Sequence, residues 1–515
     1  MDLDRVTETD VLVIGGGPGG LQLAHDLHHA GCDYLVVESA DHPGSFFSRY
    51  PRHRQLISIN KVVVDDRDNP LRFDWNSLLS DDDTLRFPRY TAEYFPHADD
   101  MVRYLADFAD RHGLRVRYRT RAVGIEADVA GYAVSLQDAS PVRARRVVVA
   151  TGIEQYVPDI PGIDLADRYA DVPADPAEFA GARVLVVGKG NSAFETASAL
   201  TPVASTVHLV SPSAVRLAWN SHYVGHVRAV NSNVLDTYQL KIGNALLEAE
   251  VTAVRADGTG FDVDLAYTHA QGQRVTYRYD RVIAATGFRF AAHDLLAGVG
   301  GQTCRDGRYP AMTPDYRHPD QPGLYFAGNL THARDYRKTM SGFIHGFRYN
   351  SRFLARLLTS QGRIAPDGAV DADAGTLASW ALDRLNASDA LYLQPGYLAD
   401  VVTADRDPRG ALEAYTAVPL DWVRDGGLGA GRQVAVTLAY GPPAPDPLWV
   451  DRRTDASYAE VTPYLHPVLH LRRDGEDVGQ LHLLEELENR YPSAEHLPRL
   501  TEFFREALSR ETEVV

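Results

Sequence analysis

Apolar residues fall in short runs that end in glycine turns, and these runs alternate with stretches whose apolar positions recur every three or four residues. Asp10–Ile14 (DVLVI) predicts a strand, Leu21–Ala30 a helix with Leu23, Leu27 and Ala30 on one face, and Tyr34–Glu38 (YLVVE) a second strand. A second copy follows: strand Arg183–Val187 (RVLVV), helix Ala193–Leu200 and strand Thr206–Val210 (TVHLV). Strands alternating with helices build a parallel sheet. Pro158, Pro161, Pro173 and Pro176 mark an extended crossing between the copies. Arg146–Ala150 and Arg281–Ala285 are predicted strands that each run into Ala-Thr-Gly. Leu324–Ala327 leads into Gly328-Asn329, and Gly342–Leu358 has helical spacing at Phe343, Phe347, Phe353 and Leu357. From about Gly362 the pattern changes. A strand over Val434–Tyr440 precedes Pro442, Pro443, Pro445 and Pro447. Val468–Arg472 and Gln480–Leu484 flank the hairpin signal Asp474-Gly475. A terminal helix is predicted over Pro498–Leu508, with the proline near its start.

The 515 residues exceed what one hydrophobic core organises, so several domains are expected. No stretch of 18 uninterrupted apolar residues occurs, and the opening MDLDRVTETD lacks the basic flank and apolar run of a signal peptide. The expectation is a cytoplasmic protein with no membrane partner. A net charge of −17 argues against nucleic acid. The two cysteines, Cys32 and Cys304, form no Cys-x-x-Cys, which argues against a flavin–disulfide reductase and against a thiolate metal site. They read as inert packed thiols. No metal motif or catalytic triad is seen.

The two glycine turns carry the chemistry. Gly15-x-Gly17-Pro18-x-Gly20 joins a strand to a helix. The first glycine allows the tight turn, the second admits a pyrophosphate, and the third lets helix and strand pack. The helix N-terminus attracts the phosphates. Glu38, followed by Ser39, stands about 20 residues on, where an acid accepts ribose hydroxyls. This predicts FAD. Gly188-Lys-Gly190-Asn191-Ser192-Ala193 is the second cradle, with alanine at the third position. No acid follows its next strand; Ser211, Pro212, Ser213 and Arg216 stand there instead. Hydroxyl and guanidinium groups suit a 2′-phosphate, so NADPH is expected over NADH, unless Arg216 is a solvated surface charge. The expected architecture is α/β. An FAD-binding Rossmann-type domain in two parts (1–155 and 286–360) holds an inserted NADPH-binding domain (156–285), and an α+β domain (361–515) follows. Gly152 and Gly287 mark the crossings.

These pieces resemble a known family. GGGPGG, GKGNSAFE, the two ATG strand ends and GLYFAGN resemble the flavin-containing monooxygenases and microbial amine N-hydroxylases. GSFFSRYPRHRQLISINK, FDWNSLL, DMVRYLADFAD, GNSAFETA, NSHYVGHVRAVN and LDTYQLK are similar to the FAD-dependent oxidoreductase domain-containing flavoproteins of the endoplasmic reticulum, over most of residues 10–360. The chain departs from both. Where the monooxygenase signature F-x-G-x-x-x-H would fall, Ile160 replaces the aromatic residue and Ala166 the histidine. The secretory signal and retention tail of the reticulum proteins are not seen, so their link to protein degradation is not carried over.

The resemblance implies a monooxygenase that works through a peroxyflavin on a small nucleophilic molecule, such as an amine to be N-hydroxylated, with dioxygen as co-substrate and a homo-oligomer possible. The alternatives are an NADPH oxidase or reductase without oxygen transfer, and a flavin-stabilised binding protein. Within Gly44–Lys61, Ser58-Ile59-Asn60-Lys61 resembles the Asn-bearing segment beside the flavin. Asn60 and Lys61 are therefore the catalytic candidates, with a loop-structuring asparagine as the plainer reading of Asn60. Arg49 and Arg54, with Arg52 between them, either offset flavin phosphates or face an acidic surface. Asn329 and the helix start at Ser341-Gly342 are expected at the flavin, where the helix N-terminus would stabilise the reduced anionic ring. By resemblance, Asn220, His222, Tyr223, Asn231, Asn233 and Tyr238 line a substrate pocket; equally, Trp219–Lys241 braces the two domains.

Overall fold

The computed structural model describes residues 7–65, 69–241, 243–290, 292–360, 362–403, 411–446 and 452–509, with the side chains of residues 238, 239 and 509 also outside the description. Pro447 and the side chain of Tyr238 therefore lie outside the described residues.

Two sheets carry the dinucleotide units. In the first, Thr7–Ile14 lies between Tyr34–Val37 and Ala139–Val149, parallel to both, with Val11 opposite Tyr34 and Arg146. Its apolar run is buried on both faces, as parallel strands covered by helices are. Leu324–Phe326 pairs parallel to Ala139–Val149, so a segment about 180 residues downstream returns to the first sheet. In the second sheet Arg183–Val187 lies between Thr206–Ser211 and Arg281–Ala284. Both sheets carry additions with no counterpart among the predicted strands: the antiparallel pair Ala122–Asp128 and Gly131–Leu136 in the first, and in the second Ala245–Asp257, parallel to Thr206–Ser211, with Gly260–Tyr267 and Arg274–Tyr279 antiparallel beyond it. The ATG ends are joined by a short ladder, Glu154–Gln155 against Phe288–Arg289.

The C-terminal unit is a six-stranded antiparallel sheet. Asp474 and Gly475 both adopt positive φ (51° and 86°), the geometry of the tight hairpin the dipeptide predicts. The terminal helix runs Ser493–Ser509 and holds Pro498 inside it, so it starts five residues earlier than the proline implies. The helices Ala374–Ala387 and Ser493–Ser509 share one core with the sheet. A larger core runs from the first sheet through Phe353 to Tyr397, Val401 and Trp422 of the C-terminal unit. Phe353 and Trp422 meet edge to face at 5.0 Å, and the buried hydroxyls of Tyr316 and Tyr397 are 3.0 Å apart.

Candidate cofactor and active site

The first cradle is shaped by close backbone approaches. Gly15 has φ +116°, and a Cβ there would stand 2.5 Å from the Ala150 carbonyl oxygen. A Cβ on Gly20 would meet the Gly15 oxygen at 2.0 Å. Gly17, by contrast, has open space around it and precedes the helix Pro18–His29, as a pyrophosphate requires. Glu38 is buried with no cation against it among the described residues. Its Oε2 accepts from Gly16 N at 2.6 Å, and its Oε1 from Ala40 N at 2.8 Å and the Ser39 hydroxyl at 3.3 Å. A carboxylate fixed in this way offers its remaining lone pairs to ribose hydroxyls. One contact was not read from the sequence: a Cβ on Gly19 would lie 2.3 Å from Gly328 Cα. The GGGPGG run thus admits the returning strand as well as the phosphates.

Gly328, at φ +67°, opens the segment that leads to the helix Ile344–Thr359. This helix starts three residues after Ser341, later than expected. Asn329 Nδ2 donates to the Gly342 carbonyl at 2.6 Å, while Asn329 Oδ1 is buried with no hydrogen-bond partner among the described residues. His345 Nδ1 is likewise buried and unpartnered, and burial pushes this imidazole down to about 3. Unpaired buried acceptors are costly. Together with the open glycine turn, they are the feature that a flavin, with its ring N–H and ribityl hydroxyls, would satisfy. Ser341 is held from the C-terminal unit: Gln394 Nε2 lies 3.0 Å from Ser341 Oγ, and Gln394 Oε1 accepts from Met340 N at 2.9 Å. Gln394 is fully buried, and no sequence signal marks it.

The second cradle repeats the first. Gly188 has φ +134°, and a Cβ there would stand 2.2 Å from the Ala285 oxygen; Gly190 has open space before the helix Asn191–Leu200. Ala193 is buried at the third position, where its methyl group fits. Gly152 and Gly287, both at positive φ, stand at the ends of the crossing ladder. The side chain of Asn191 is committed elsewhere. Its Nδ2 donates to His226 O at 2.8 Å, and its Oδ1 accepts from Arg228 N at 2.9 Å and Asn231 Nδ2 at 3.3 Å. Asn191 anchors a loop, then, and Ser192 opens the helix beside it. Beyond the next strand, Ser211 Oγ and Lys189 Nζ both reach the Ser213 carbonyl, at 3.1 and 3.4 Å. Burial lowers the Lys189 ammonium, against the pull of Glu248. Arg216 is exposed, with no ion pair or side-chain hydrogen bond among the described residues. Lys189, Ser211 and Arg216 could meet a 2′-phosphate; Lys189 was not singled out in the sequence.

The basic run does not converge on the first cradle. Arg49 pairs with Asp171 at 3.0 Å, Arg52 Nε donates to Val172 O at 2.6 Å, and Arg54 pairs with Asp99. Two of these side chains therefore tie Gly44–Lys61 to the second unit, and the third ties it to the helix Ala98–Arg111. Carboxylates and carbonyls elsewhere in the fold engage all three, although Arg54 Nη1 is buried with no hydrogen-bond partner among the described residues. Asn60 is buried, and its Nδ2 donates to Thr91 O at 2.8 Å, a bond that a loop-structuring asparagine makes. Lys61 is exposed.

The side chains after Trp219 divide between contacts inside the second unit and contacts to its neighbours. Asn220 is exposed. His222 meets the ring of Tyr440 at 5.2 Å, Asn231 bonds Asn191, and Asn233 accepts from Ser198. Arg228 reaches Ile57 O at 3.0 Å. Tyr223 alone of the described substrate candidates turns toward the segment between Gly328 and the helix Ile344–Thr359. Its hydroxyl lies 2.8 Å from His332 Nε2, and the two rings are stacked. His332 Nδ1 lies 2.8 Å from Asp335 Oδ1, and Asp335 Oδ2 accepts from Ser341 N at 3.0 Å and from the Thr339 hydroxyl. All three side chains of the relay are buried. With Nδ1–H donated to the carboxylate, Nε2 is an acceptor and the Tyr223 hydroxyl its donor. Burial raises the Tyr223 phenol, so it keeps its proton. Tyr309, Tyr336 and Phe343 pack around His332. No motif spacing joins 223 to 332 and 335, so the sequence could not show this relay.

Residues 12–328 match the family described as pyridine nucleotide-disulphide oxidoreductase. Over 96% of its length the chain is 37% identical to FAD-dependent oxidoreductase domain-containing protein 2 of Mus musculus, and it covers 79% of that protein. The chain belongs to this FAD-dependent oxidoreductase family. It is an oxidoreductase that uses FAD and a nicotinamide dinucleotide, and the pair expected from the cradles, FAD and NADPH, fits the family. Two solved structures share the fold. A flavin-containing monooxygenase from Stenotrophomonas maltophilia aligns with a TM-score of 0.55 at 22% identity, over 69% of this chain and 99% of that one. An ornithine N-hydroxylase from Kutzneria aligns with a TM-score of 0.53 at 18% identity, over 69% and 99%. The dinucleotide units are thus the shared part. Cys32 and Cys304 are both free, and burial raises both thiols, which makes them poor nucleophiles. Among the described residues, no helix is long and apolar enough to cross a membrane.

Proposed function

We propose that this oxidoreductase is an NADPH-dependent monooxygenase of a small nucleophilic molecule, with amines as the substrate class. The observation that carries the proposal is the buried Tyr223–His332–Asp335 relay beside Ser341-Gly342. When bound, FAD supplies the chemistry that takes hydride from NADPH and activates dioxygen. The chain's own residues set the conditions. Gly17 and Gly190 leave room for the two pyrophosphates, and Lys189, Ser211 and Arg216 receive the 2′-phosphate. Tyr309, Tyr336 and Phe343 keep water from the relay. Tyr223 Oη keeps its proton directed at His332 Nε2, with Asp335 holding the His332 tautomer, so the phenol oxygen would offer its lone pairs to the substrate's proton and the relay would pass a proton in or out beside Ser341-Gly342.

The test is stoichiometric. FAD-loaded enzyme is given NADPH, dioxygen and a panel of primary amines, with NADPH consumed, hydrogen peroxide and hydroxylated amine all quantified. Oxygenation predicts product in proportion to NADPH for at least one amine. Peroxide equal to NADPH under every condition would make the enzyme an oxidase. Absence of flavin reduction by NADPH would leave a binding role.

A further inference from the structure

A second cluster lies away from both cradles, at the far end of the first cradle's helix. His25 and His29 stand one turn apart on Pro18–His29, His112 caps the C-terminus of Ala98–Arg111, and Asp81 lies in the loop between. One ligand atom from each of the four lies within 4.8 Å of every other. Asp81 Oδ1 is 3.9 Å from His25 Nε2 and 3.8 Å from His29 Nε2.

His25 shows what the cluster lacks. Its ring is 3% exposed, and Nδ1 lies 3.1 Å from Asp26 Oδ1. Asp26 is itself held by Gln22 at 3.1 Å and Arg352 at 3.4 Å. A carboxylate on Nδ1 fixes the tautomer and leaves Nε2 as a lone pair, the arrangement that supports metal-binding histidines. That Nε2 is buried with no hydrogen-bond partner among the described residues, and it faces an anionic oxygen. A lone pair and a carboxylate facing each other at 3.9 Å are satisfied by a positive charge between them, either a proton or a metal ion. Phe108 closes the inner side, 5.4 Å from the His25 ring and 4.7 Å from that of His112, whose Nε2 meets Ser80 Oγ at 3.0 Å. Two helices end here, and their negative poles favour positive charge.

We propose that His25, His29, His112 and Asp81 bind one divalent cation of the zinc class. Three imidazoles and one carboxylate are the donor set of a borderline ion; calcium and magnesium prefer all-oxygen sites. Four protein ligands close the coordination shell, so the ion is structural. It staples the first cradle's helix to Ala98–Arg111 at a site distinct from the oxidoreductase chemistry. Metal–nitrogen bonds of about 2.0–2.1 Å require the exposed His29 and Asp81 side chains to draw inward.

The test uses full-length, FAD-loaded protein stripped with chelator and titrated with Co²⁺, then with Zn²⁺ in competition. The expected result is one Co²⁺ per chain with the visible spectrum of tetrahedral coordination, displaced by one Zn²⁺. His29→Ala and His112→Ala each weaken Zn²⁺ binding by about 10–100-fold or more and abolish the zinc-induced rise in melting temperature, while FAD content is retained. His496→Ala, in the separate Glu486–Glu495–His496 group, changes neither. Wild-type protein that binds no Co²⁺ would mean that a proton alone bridges His25 and Asp81. Equal binding by wild type and the His29→Ala, His112→Ala double variant would place the metal elsewhere. Either result overturns the proposal.

Discussion

Replacing Tyr223 by Phe removes one oxygen and leaves the stacked ring in place. The lost bond joins a neutral hydroxyl to His332 Nε2 at 2.8 Å. Such bonds contribute a net ~0.5–1.5 kcal/mol. His332 keeps its contact with Asp335, and its Nε2 still accepts from Arg337 N at 3.4 Å. The stability loss should therefore be about 1 kcal/mol, small enough for the protein to fold. The functional loss should be larger, because a positioned proton donor contributes about 10²–10⁴-fold to the step it serves. Anaerobic reduction of the flavin by NADPH needs no proton from this hydroxyl and should be preserved. In air, product per NADPH should collapse and peroxide should take its place. Asp335→Asn should reproduce the uncoupling, because it loosens control of the His332 tautomer, and should shift the pH profile of product formation. A Tyr223→Phe enzyme with wild-type yield and pH profile would refute the role assigned to the relay.

Arg216→Gln should raise KM for NADPH by about 10-fold or more, the worth of a charge-assisted contact, and leave KM for NADH unchanged in paired steady-state assays. Gly188→Ala forces a left-handed φ of +134° on alanine and a Cβ 2.2 Å from Ala285 O. It should abolish NADPH-driven reduction, while the absorbance spectrum still reports bound FAD. Acid should destabilise the fold. Burial pushes His345 down to about 3, and His53 and His470 to about 4. Their contribution is complete above about pH 6.5 and is lost as pH falls toward 3–4, at about 2 kcal/mol each by pH 5. Glu195, raised to about 7 by burial, has the opposite sign: its contribution is complete below about pH 4.5 and is lost as pH rises toward 7, which offsets roughly one of the three histidines. Melting temperature should therefore fall from pH 7 to 5, and fall less in His345→Asn.

The two cradles were legible because each is local. A strand, three small residues and a helix are contiguous, over Thr7–His29 in the first cradle and Arg183–Leu200 in the second, and the backbone geometry at Gly15 and Gly188 admits no larger side chain. The parallel strands were legible for a related reason: burial on both faces leaves an uninterrupted apolar run. The antiparallel additions were missed because strands such as Arg274–Tyr279 alternate burial and exposure, a weaker mark than a continuous run. Side-chain roles were legible only where the partner was near in sequence. Glu38 meets Gly16 across one strand–helix–strand unit, and its place could be read. Arg49, Arg54 and Asn60 carry the right chemistry for a cofactor, but their partners Asp171, Asp99 and Thr91 are set by folding. The Tyr223–His332 contact spans 109 positions and leaves no trace in spacing.

Gln394 has a consequence of its own. A single buried amide from the C-terminal unit fixes both Met340 N and the Ser341 hydroxyl, immediately before the helix Ile344–Thr359. Tyr397 N donates back to the Gln394 carbonyl at 3.1 Å, and the strand Leu398–Thr403 of that unit's sheet follows directly. A chain cut back to its dinucleotide units would lose Gln394, and Met340 N and the Ser341 hydroxyl would each need another partner, so the outer unit helps to shape the segment that precedes Ile344–Thr359.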